Sequence, residues 1–231
     1  MVTALIVAGG SGSRMGADRN KLLLTLSAKP VIWYTLAAFE RAECIDEIVI
    51  AARGCDREEF GAIAGEFSKF ALVCPSGDTR QDTVRRGLAY CRGDIVAVHD
   101  GARALVMPEL ICRTVEDCRI FGAAAAGVMS KDTIKLTEDG FITATVDRER
   151  AVSIQTPQVF RRTELIAAHE KAAEEGFAAT DDCMLLERLG KRVRVSEGSY
   201  ENIKLTTPED MELAEKILQR RKISVDISGR K

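Results

Sequence analysis

Residues 3–21 read TALIVAGGSGSRMGADRNK. Its apolar run at residues 4–7 predicts a short, buried parallel strand. The strand leads into glycine-rich residues 9–13, whose bare backbone N–H groups can approach an anion closely. Arg14 and Lys21 add two cations to the same loop. Together these features predict a phosphate-binding site; the alternative is a flexible glycine turn that carries two solvated charges.

Two better-known phosphate loops do not fit this stretch. A Walker loop ends in Gly-Lys-Ser or Gly-Lys-Thr, and no such tripeptide follows these glycines. The dinucleotide-binding fingerprint needs a small residue where Met15 stands, and its glycines open directly onto a helix. Here we expect Pro30 to occupy the first turn of the following helix, so the loop is long. The stretch instead resembles the signature loop of nucleotidyltransferases.

The composition narrows the class of protein. With 231 residues, of which 46% are hydrophobic and 29% charged, the chain fits one α/β domain spanning residues 1–231. A net charge of −2 argues against a general nucleic-acid binder. No apolar run approaches membrane-spanning length, and no signal peptide is evident. The seven cysteines form no CxxC pair, which favours reduced thiols and a cytoplasmic location.

After the loop, strand-like and helix-like segments alternate along the chain. This order predicts a Rossmann-like α/β fold, with a mostly parallel twisted sheet and helices on both faces. Ligands of such sheets bind at the carboxyl ends of the strands. We therefore expect the site in the loops after Val7, Cys74, Val98 and Val128. The strands that follow the first are predicted at residues 47–52, 70–74, 95–98 and 123–128.

The alternation breaks at about residues 131–150. Residues 133–137 and 141–146 flank Glu138-Asp139-Gly140, a pattern that predicts a β-hairpin. A lone hairpin cannot bury both of its faces. We therefore predict a protruding arm that packs on a partner chain. A hairpin folded back on its own domain is equally compatible with the sequence.

Capping residues predict the starts of two later helices. Asp181 is placed to cap a short helix that ends at Gly190. Thr207, Pro208 and Asp210 predict the N-cap, N1 and N3 positions of the last helix. Residues 223–231 are expected to be disordered, because they offer little to pack.

The loop of residues 76–83 carries a glycine, carboxylates and hydroxyls ahead of a helix. Gly77, Asp78 and Thr83 are in the right place to bind sugar or base edges. The alternative is ordinary N-capping by Asp78 or Thr79.

Charged residues follow the fourth strand and the later loops. Asp100 ends an apolar strand, where a carboxylate is costly unless it has a partner or a function. We predict that Asp100 holds Mg²⁺ against phosphate oxygens, because Mg²⁺ prefers one or two carboxylates plus phosphates. The alternative is an internal Asp100–Arg103 ion pair. Lys204 is placed to reach a phosphate from the side opposite Lys21, and Arg148 to grip the phosphate of a second substrate.

Eight motifs in one order make the chain resemble the 2-C-methyl-D-erythritol 4-phosphate cytidylyltransferase family. The resemblance extends from Leu5 to about Leu218. It implies transfer of CMP from CTP to methylerythritol phosphate, with Mg²⁺, in a homodimer formed through the hairpin arm. The motifs are AGGSGSRM with Lys21, SGDTRQDTV, VHDGAR, KDTIK, TVDR, QTPQVF, ATDD and ENIKLTTPED.

The resemblance also implies roles for individual residues. Arg14, Lys21 and Lys204 would be catalytic, and Asp100 the metal ligand. CTP would be bound by Ala8, Gly9, Gly10, Gly12, Ser13, Gly77, Asp78 and Thr83. The second substrate would be bound by Arg103, Arg148, Thr156, Thr180 and Thr206.

The chain departs from the family pattern at three positions. Asn20 replaces a usual proline, Leu22 a usual glutamine, and Ala104 a common proline; none removes a charge assigned above. Three alternative functions remain open. They are a ribitol or ribulose 5-phosphate cytidylyltransferase, a catalytically silent nucleotide-binding module, and an NADPH oxidoreductase supported only by Arg53.

Overall fold

A computed structural model describes residues 1–10 and 20–221 of the chain. Within these ranges, eleven strands and seven α-helices follow in chain order. They are β1 (Val2–Val7), β2 (Thr25–Leu26), β3 (Lys29–Pro30), α1 (Val31–Arg41), β4 (Glu47–Ala52), α2 (Arg57–Ala64), β5 (Phe70–Pro75), α3 (Arg80–Leu88), β6 (Ile95–Asp100), α4 (Pro108–Phe121), β7 (Ala123–Met129), β8 (Lys135–Glu138), β9 (Phe141–Thr145), β10 (Val152–Arg161), α5 (Arg162–Glu174), α6 (Asp182–Arg188), β11 (Arg194–Glu197) and α7 (Pro208–Arg220).

Seven of the strands form the central sheet, in the order β11-β7-β10-β6-β1-β4-β5. Only β10 runs antiparallel to its neighbours β6 and β7; the other pairs are parallel. In the centre, Val7 of β1 pairs with Ala51 of β4 and with Asp100 of β6. Three strands therefore end level with one another, and their loops meet at one edge of the sheet.

Two hydrophobic layers cover the sheet. One face packs on α1, α2, α4 and α7, with Phe39 and Phe60 buried there. The other face packs on α3, α5 and α6, around Leu88 and Leu165. Helices thus lie on both faces, and the predicted fold class is confirmed. That residues 1–231 form one domain stays a prediction.

Several predicted boundaries are confirmed and one is wrong. Strand β4 spans the predicted residues 47–52, and Thr207 and Asp210 form a reciprocal capping box at the start of α7, with Pro208 at its first position. Asp181 caps α6, since its side chain accepts from the backbone N–H of Met184. Pro30 is the N-cap of α1, not a first-turn residue, because it still pairs with Thr25 as the end of β3.

The hairpin lies where the sequence predicts it. Strands β8 and β9 pair with each other as a separate two-stranded sheet. Every residue of both strands is exposed, so this arm does not fold back on its own domain. The chain enters the arm from β7 and returns through the 3₁₀ helix Arg148–Arg150 to β10.

Two predictions fall on residues 11–19 and 222–231, outside the described residues. They are the roles of Gly12, Ser13 and Arg14, and the disorder of residues 223–231. In the described helices, none is long and apolar enough to cross a bilayer.

Candidate active site

A cleft of about 700 Å³ opens at the carboxyl edge of β1, β4, β5 and β6. It brings together eight of the predicted site residues, which come from four separate loops. The loop after β7 instead leads into the arm and contributes nothing to the cleft. The eight residues are Gly9, Gly10, Lys21, Gly77, Asp78, Thr83, Asp100 and Lys204.

Close packing explains the glycines of the cleft. A Cβ on Gly9 would lie 2.7 Å from Cβ of Ser76, so the turn after β1 touches the loop after β5. A Cβ on Gly77 would lie 2.1 Å from a carboxylate oxygen of Asp82. Both positions therefore exclude side chains, and the two loops form one continuous wall of backbone.

Hydrogen bonds within the loop of residues 76–83 hold this wall. Thr83 is buried; its hydroxyl accepts from the N–H of Gly77 at 3.0 Å and donates to the carbonyl of Thr79 at 2.8 Å. Thr79 is the N-cap of α3, where its side chain accepts from the N–H of Asp82. Of the two capping candidates, Thr79 takes the position, and Asp78 lines the cleft.

Asp100 lies at the floor of the cleft with a cation on each carboxylate oxygen. Lys204 Nζ is 2.7 Å from Oδ2, and Arg80 Nε is 3.0 Å from Oδ1. Burial by itself raises the pKa of Asp100, but attraction to Arg80 and Lys204 outweighs burial and holds the pKa well below its usual range. The carboxylate is therefore charged at neutral pH. Its ion pairs are with these two cations, not with Arg103 as in the alternative interpretation.

Arg80 is a residue of the site to which the sequence analysis gave no role. It lines the cleft and bridges Asp100 to the buried Asp182, with Nη1 2.8 Å from Oδ2 of Asp182. Burial lowers the pKa of Arg80, but the two carboxylates raise it above its ordinary value. Arg80 is the first residue of α3, where the positive end of the helix dipole disfavours a cation. A cation at this position is stable when carboxylates pair with it, so the arginine directly after Thr79 was a sequence signal for nearby carboxylates.

Asn20, one of the departures from the family pattern, is buried beside Lys21. Its Nδ2 donates to the carbonyl of Ala8 at 3.1 Å and to Asp56 at 2.9 Å, and its Oδ1 accepts from the N–H of Leu22. Asp56 in turn pairs with Arg53, which also lines the cleft. Asn20 therefore anchors the chain on either side of the phosphate loop, with hydrogen bonds that a proline lacks.

The residues predicted for the second substrate lie outside the cleft. Arg148 is exposed at the base of the arm, where Nη2 donates to the carbonyl of Lys131 at 3.2 Å. Thr180 precedes α6, and the hydroxyl of Thr206 donates to Asp210 at 2.8 Å. The structure does not bring these three side chains together within one chain.

Thr156 and Arg103 lie directly behind Asp100. The Thr156 hydroxyl accepts from the N–H of Asp100 at 3.1 Å and lies 3.1 Å from Nδ1 of His99. Burial lowers the pKa of His99 to about 3, so the ring is neutral at pH 7. Arg103 donates to the carbonyl of Asn202 at 2.6 Å. Among the described residues, Arg103 Nε and Asn202 Oδ1 are buried without hydrogen-bond partners.

The fold and cleft define a class. Backbone-lined turns, two lysines and a buried carboxylate at the carboxyl edge of a mostly parallel sheet are typical of α/β proteins that bind nucleotide phosphates. A model of the family described as IspD, 2-C-methyl-D-erythritol 4-phosphate cytidylyltransferase, matches residues 2–220. The chain belongs to this family.

Individual relatives and solved structures agree with this assignment. A 2-C-methyl-D-erythritol 4-phosphate cytidylyltransferase of Syntrophotalea carbinolica is 46% identical over 226 residues, covering 94% of this chain and 96% of the relative. A relative with the same name from Caldanaerobacter subterraneus is 43% identical over 225 residues, covering 95% of this chain and 99% of the relative's length. The crystal structure of 4-diphosphocytidyl-2C-methyl-D-erythritol synthase from Anaerococcus prevotii superposes with a TM-score of 0.87 at 31% identity, over 95% of this chain and 98% of that one.

Proposed function

We propose that this chain transfers CMP from CTP to 2-C-methyl-D-erythritol 4-phosphate and releases pyrophosphate, in the non-mevalonate route to isoprenoids. Family membership supports the reaction, and the pairing of Lys204 with Asp100 on the floor of a backbone-lined cleft is the observation that carries it. The substrate phosphate is itself an oxygen nucleophile, so the reaction needs positioning and charge neutralisation but no serine, cysteine or histidine nucleophile.

Each wall of the cleft then has a role in binding CTP. Gly9 and Gly10 offer backbone N–H groups to the triphosphate, and Gly12 and Ser13 have the same role in this proposal. Ala8 begins the turn, but its own N–H already donates to the carbonyl of Ala51 at 2.8 Å. Lys21, Lys204 and Arg14 neutralise the charge that builds up at the α-phosphorus and on the leaving pyrophosphate. On the β5 side, Gly77, Asp78 and Thr83 bind the ribose and the base.

Mg²⁺ is the proposed cofactor, and Asp100 is the residue that would hold it. No cluster of three or more metal-ligating side chains occurs among residues 1–10 and 20–221, and Asp100 is the carboxylate that we assign to the ion. One carboxylate fits Mg²⁺, which completes its shell with waters and the phosphates of a nucleotide. When bound, the ion would offset negative charge on the triphosphate.

The second half of the site requires a partner chain in this proposal. The arm carries exposed apolar side chains, including Phe141 (77% exposed) and Ile142 (65% exposed). We propose that the arm forms a homodimer interface, so that Arg148 reaches the partner's cleft and binds methylerythritol phosphate there. Arg103, Thr156, Thr180 and Thr206 complete this side in the proposal.

A cytoplasmic location follows from the same assignment. CTP is a cytoplasmic nucleotide, and all seven cysteines are free thiols. Burial raises the pKa of Cys74 to about 11 and of Cys91 and Cys118 to about 12, so these thiols are unreactive at neutral pH.

The direct test is a paired-substrate turnover assay. Pyrophosphate release is measured with CTP, Mg²⁺ and either methylerythritol phosphate or ribitol 5-phosphate, with ATP in place of CTP as the nucleotide control. We expect release with CTP and methylerythritol phosphate. Release with ribitol 5-phosphate alone would assign the chain to the alternative polyol, and no release with either would support the catalytically silent module.

A further inference from the structure

A chain of charged and polar groups extends from the cleft to helix α5, which packs beside α3 on one face of the sheet. Lys204 contacts Asp100, Asp100 contacts Arg80, Arg80 contacts Asp182, and Asp182 accepts from His169 Nε2 at 3.1 Å. Arg80 is the central member of this chain. Among these groups, only Arg80 contacts two carboxylates, which are Asp100 at the candidate metal site and Asp182 outside the cleft.

The two ends of the chain differ in how firmly they are held. The Asp182 side chain is 1% exposed, and its backbone N–H donates to Gln158. Burial raises the pKa of Asp182, but the hydrogen bond from His169 and attraction to Arg80 lower it overall. Lys204, at the other end, is 41% exposed. The Arg80 contact is therefore anchored on a fixed carboxylate, whereas the Lys204 contact can exchange.

We propose that Arg80 is a positioning residue for Asp100. Arg80 holds Oδ1 of Asp100 in place. The other oxygen, Oδ2, is paired with Lys204 in this structure, and it becomes available when Lys204 turns to the triphosphate. Asp100 then offers one oriented oxygen to the metal–nucleotide complex, while Arg80 keeps the other. This inference rests on the proposed function, because it takes Asp100 to be the Mg²⁺ ligand.

The geometry needs a guanidinium group. Arg80 uses Nε for Asp100 and Nη1 for Asp182, two donors at fixed positions on one planar group. An ammonium group has no such fork and binds as a compact point charge. Arg80→Lys therefore preserves the positive charge between the two carboxylates but removes the pair of fixed donors that contacts both of them.

Mn²⁺ binding tests the inference without turnover. Free Mn²⁺ is measured by electron paramagnetic resonance in the presence of CTP, without polyol phosphate, for the wild type and for Arg80→Lys, and the Mn²⁺ that the same CTP binds without protein is subtracted. Partners that orient a metal ligand typically change metal affinity by about 10–100-fold, and we expect a loss of that size in Arg80→Lys. Asp182→Asn, which changes the anchor outside the cleft, should weaken Mn²⁺ binding in the same direction.

Arg92→Lys is the matched control. Arg92 forms the equivalent contact with a buried carboxylate, Glu47, among residues that do not line the cleft. Its Mn²⁺ affinity should equal that of the wild type. All variants are compared well below their melting temperatures, so that a change in stability does not pass for a change in binding.

The outcomes separate the inference from the proposed function. Weakened Mn²⁺ binding in Arg80→Lys and Asp182→Asn, with binding in Arg92→Lys unchanged, supports the inference. Unchanged binding in Arg80→Lys, beside a loss in Asp100→Asn, overturns the inference alone. Unchanged binding in Asp100→Asn overturns the proposed metal role and the inference with it.

Discussion

The two halves of the candidate site differ in how they are built. In the cleft, Asp100, Arg80 and Lys204 are held by one another and by buried neighbours within a single chain. On the arm, Phe141 and the apolar residues around it are exposed, and the exposed Arg148 donates to the carbonyl of Lys131 at the base of the arm. Under our proposal, the nucleotide half of the site lies within one subunit, whereas the acceptor half is completed by a second copy.

Removing a cleft cation should have the largest effect. Lys204→Ala deletes a charge at the reacting phosphate, and loss of one such preorganised group typically lowers kcat by about 10²–10³-fold. The measurement is the steady-state rate of pyrophosphate release.

Lys216→Ala is the control for this prediction, because Lys216 is an exposed lysine on α7. It should leave kcat unchanged. Turnover of Lys204→Ala at the wild-type rate would remove Lys204 from the mechanism.

A charge on the arm should separate the subunits. Phe141→Asp places a carboxylate where we expect a buried aromatic contact, and loss of such an interface residue typically costs about 2 kcal/mol or more, roughly a 30-fold weaker dimer. Analytical ultracentrifugation over a concentration series gives the dissociation constant. Gln219→Asp adds the same charge to the exposed surface of α7 and should leave the dimer intact; equal dissociation constants for both variants would argue against an arm interface.

Asn20 should matter for stability. Asn20→Ala leaves the N–H of Leu22 and the carbonyl of Ala8 without their partner, and an unsatisfied buried polar group costs about 1–3 kcal/mol in the free energy of unfolding. Urea denaturation measures this loss. Gln219→Ala on the surface should change the free energy by less than about 0.5 kcal/mol, and an Asn20→Ala protein as stable as that control would show that the anchor is dispensable.

Stability should also depend on pH. Because burial depresses the pKa of His99 to about 3, the unfolded chain takes up this proton first as the pH falls below about 6.5. The contribution of His99 to the free energy of unfolding is thus fully present above about pH 6.5. Below that pH the free energy of unfolding falls towards about pH 3, by up to about 1.4 kcal/mol per pH unit.

His99→Gln removes this contribution. Urea denaturation at several pH values between 7 and 5 should show a shallower decline in stability for the variant than for the wild type. Parallel curves for the two proteins would mean that His99 gains its proton in the folded state as easily as in the unfolded one.

Local patterns in the sequence predicted the elements well. The alternation of strands and helices, the bounds of β4 and the caps of α6 and α7 depend on residues close in the chain, and the structure confirms them. The cleft residues were also predictable, because the carboxyl ends of parallel strands share one edge of the sheet.

Contacts between distant residues were not predictable in the same way. Arg80 and Asp182 are separated by 102 positions, and Asn20 and Asp56 by 36. Which carboxylate pairs with which cation depends on the packing of α3 against α5 and α6, and side-chain types alone do not encode it. The Asp100–Arg103 pair was the nearer choice along the chain, yet Arg80 and Lys204 hold Asp100 in the folded protein.

Subunit complementation tests the central claim most directly. Lys204→Ala and Arg148→Ala chains, each inactive alone, are mixed under conditions that allow subunits to exchange, and pyrophosphate release is measured. When the two chains are mixed in equal amounts, about half of the dimers are mixed. If Arg148 acts in the partner's cleft, each mixed dimer has one intact site out of two, so activity returns to about one quarter of the wild-type value. No recovery, with mixed dimers verified, would contradict a site shared between two subunits.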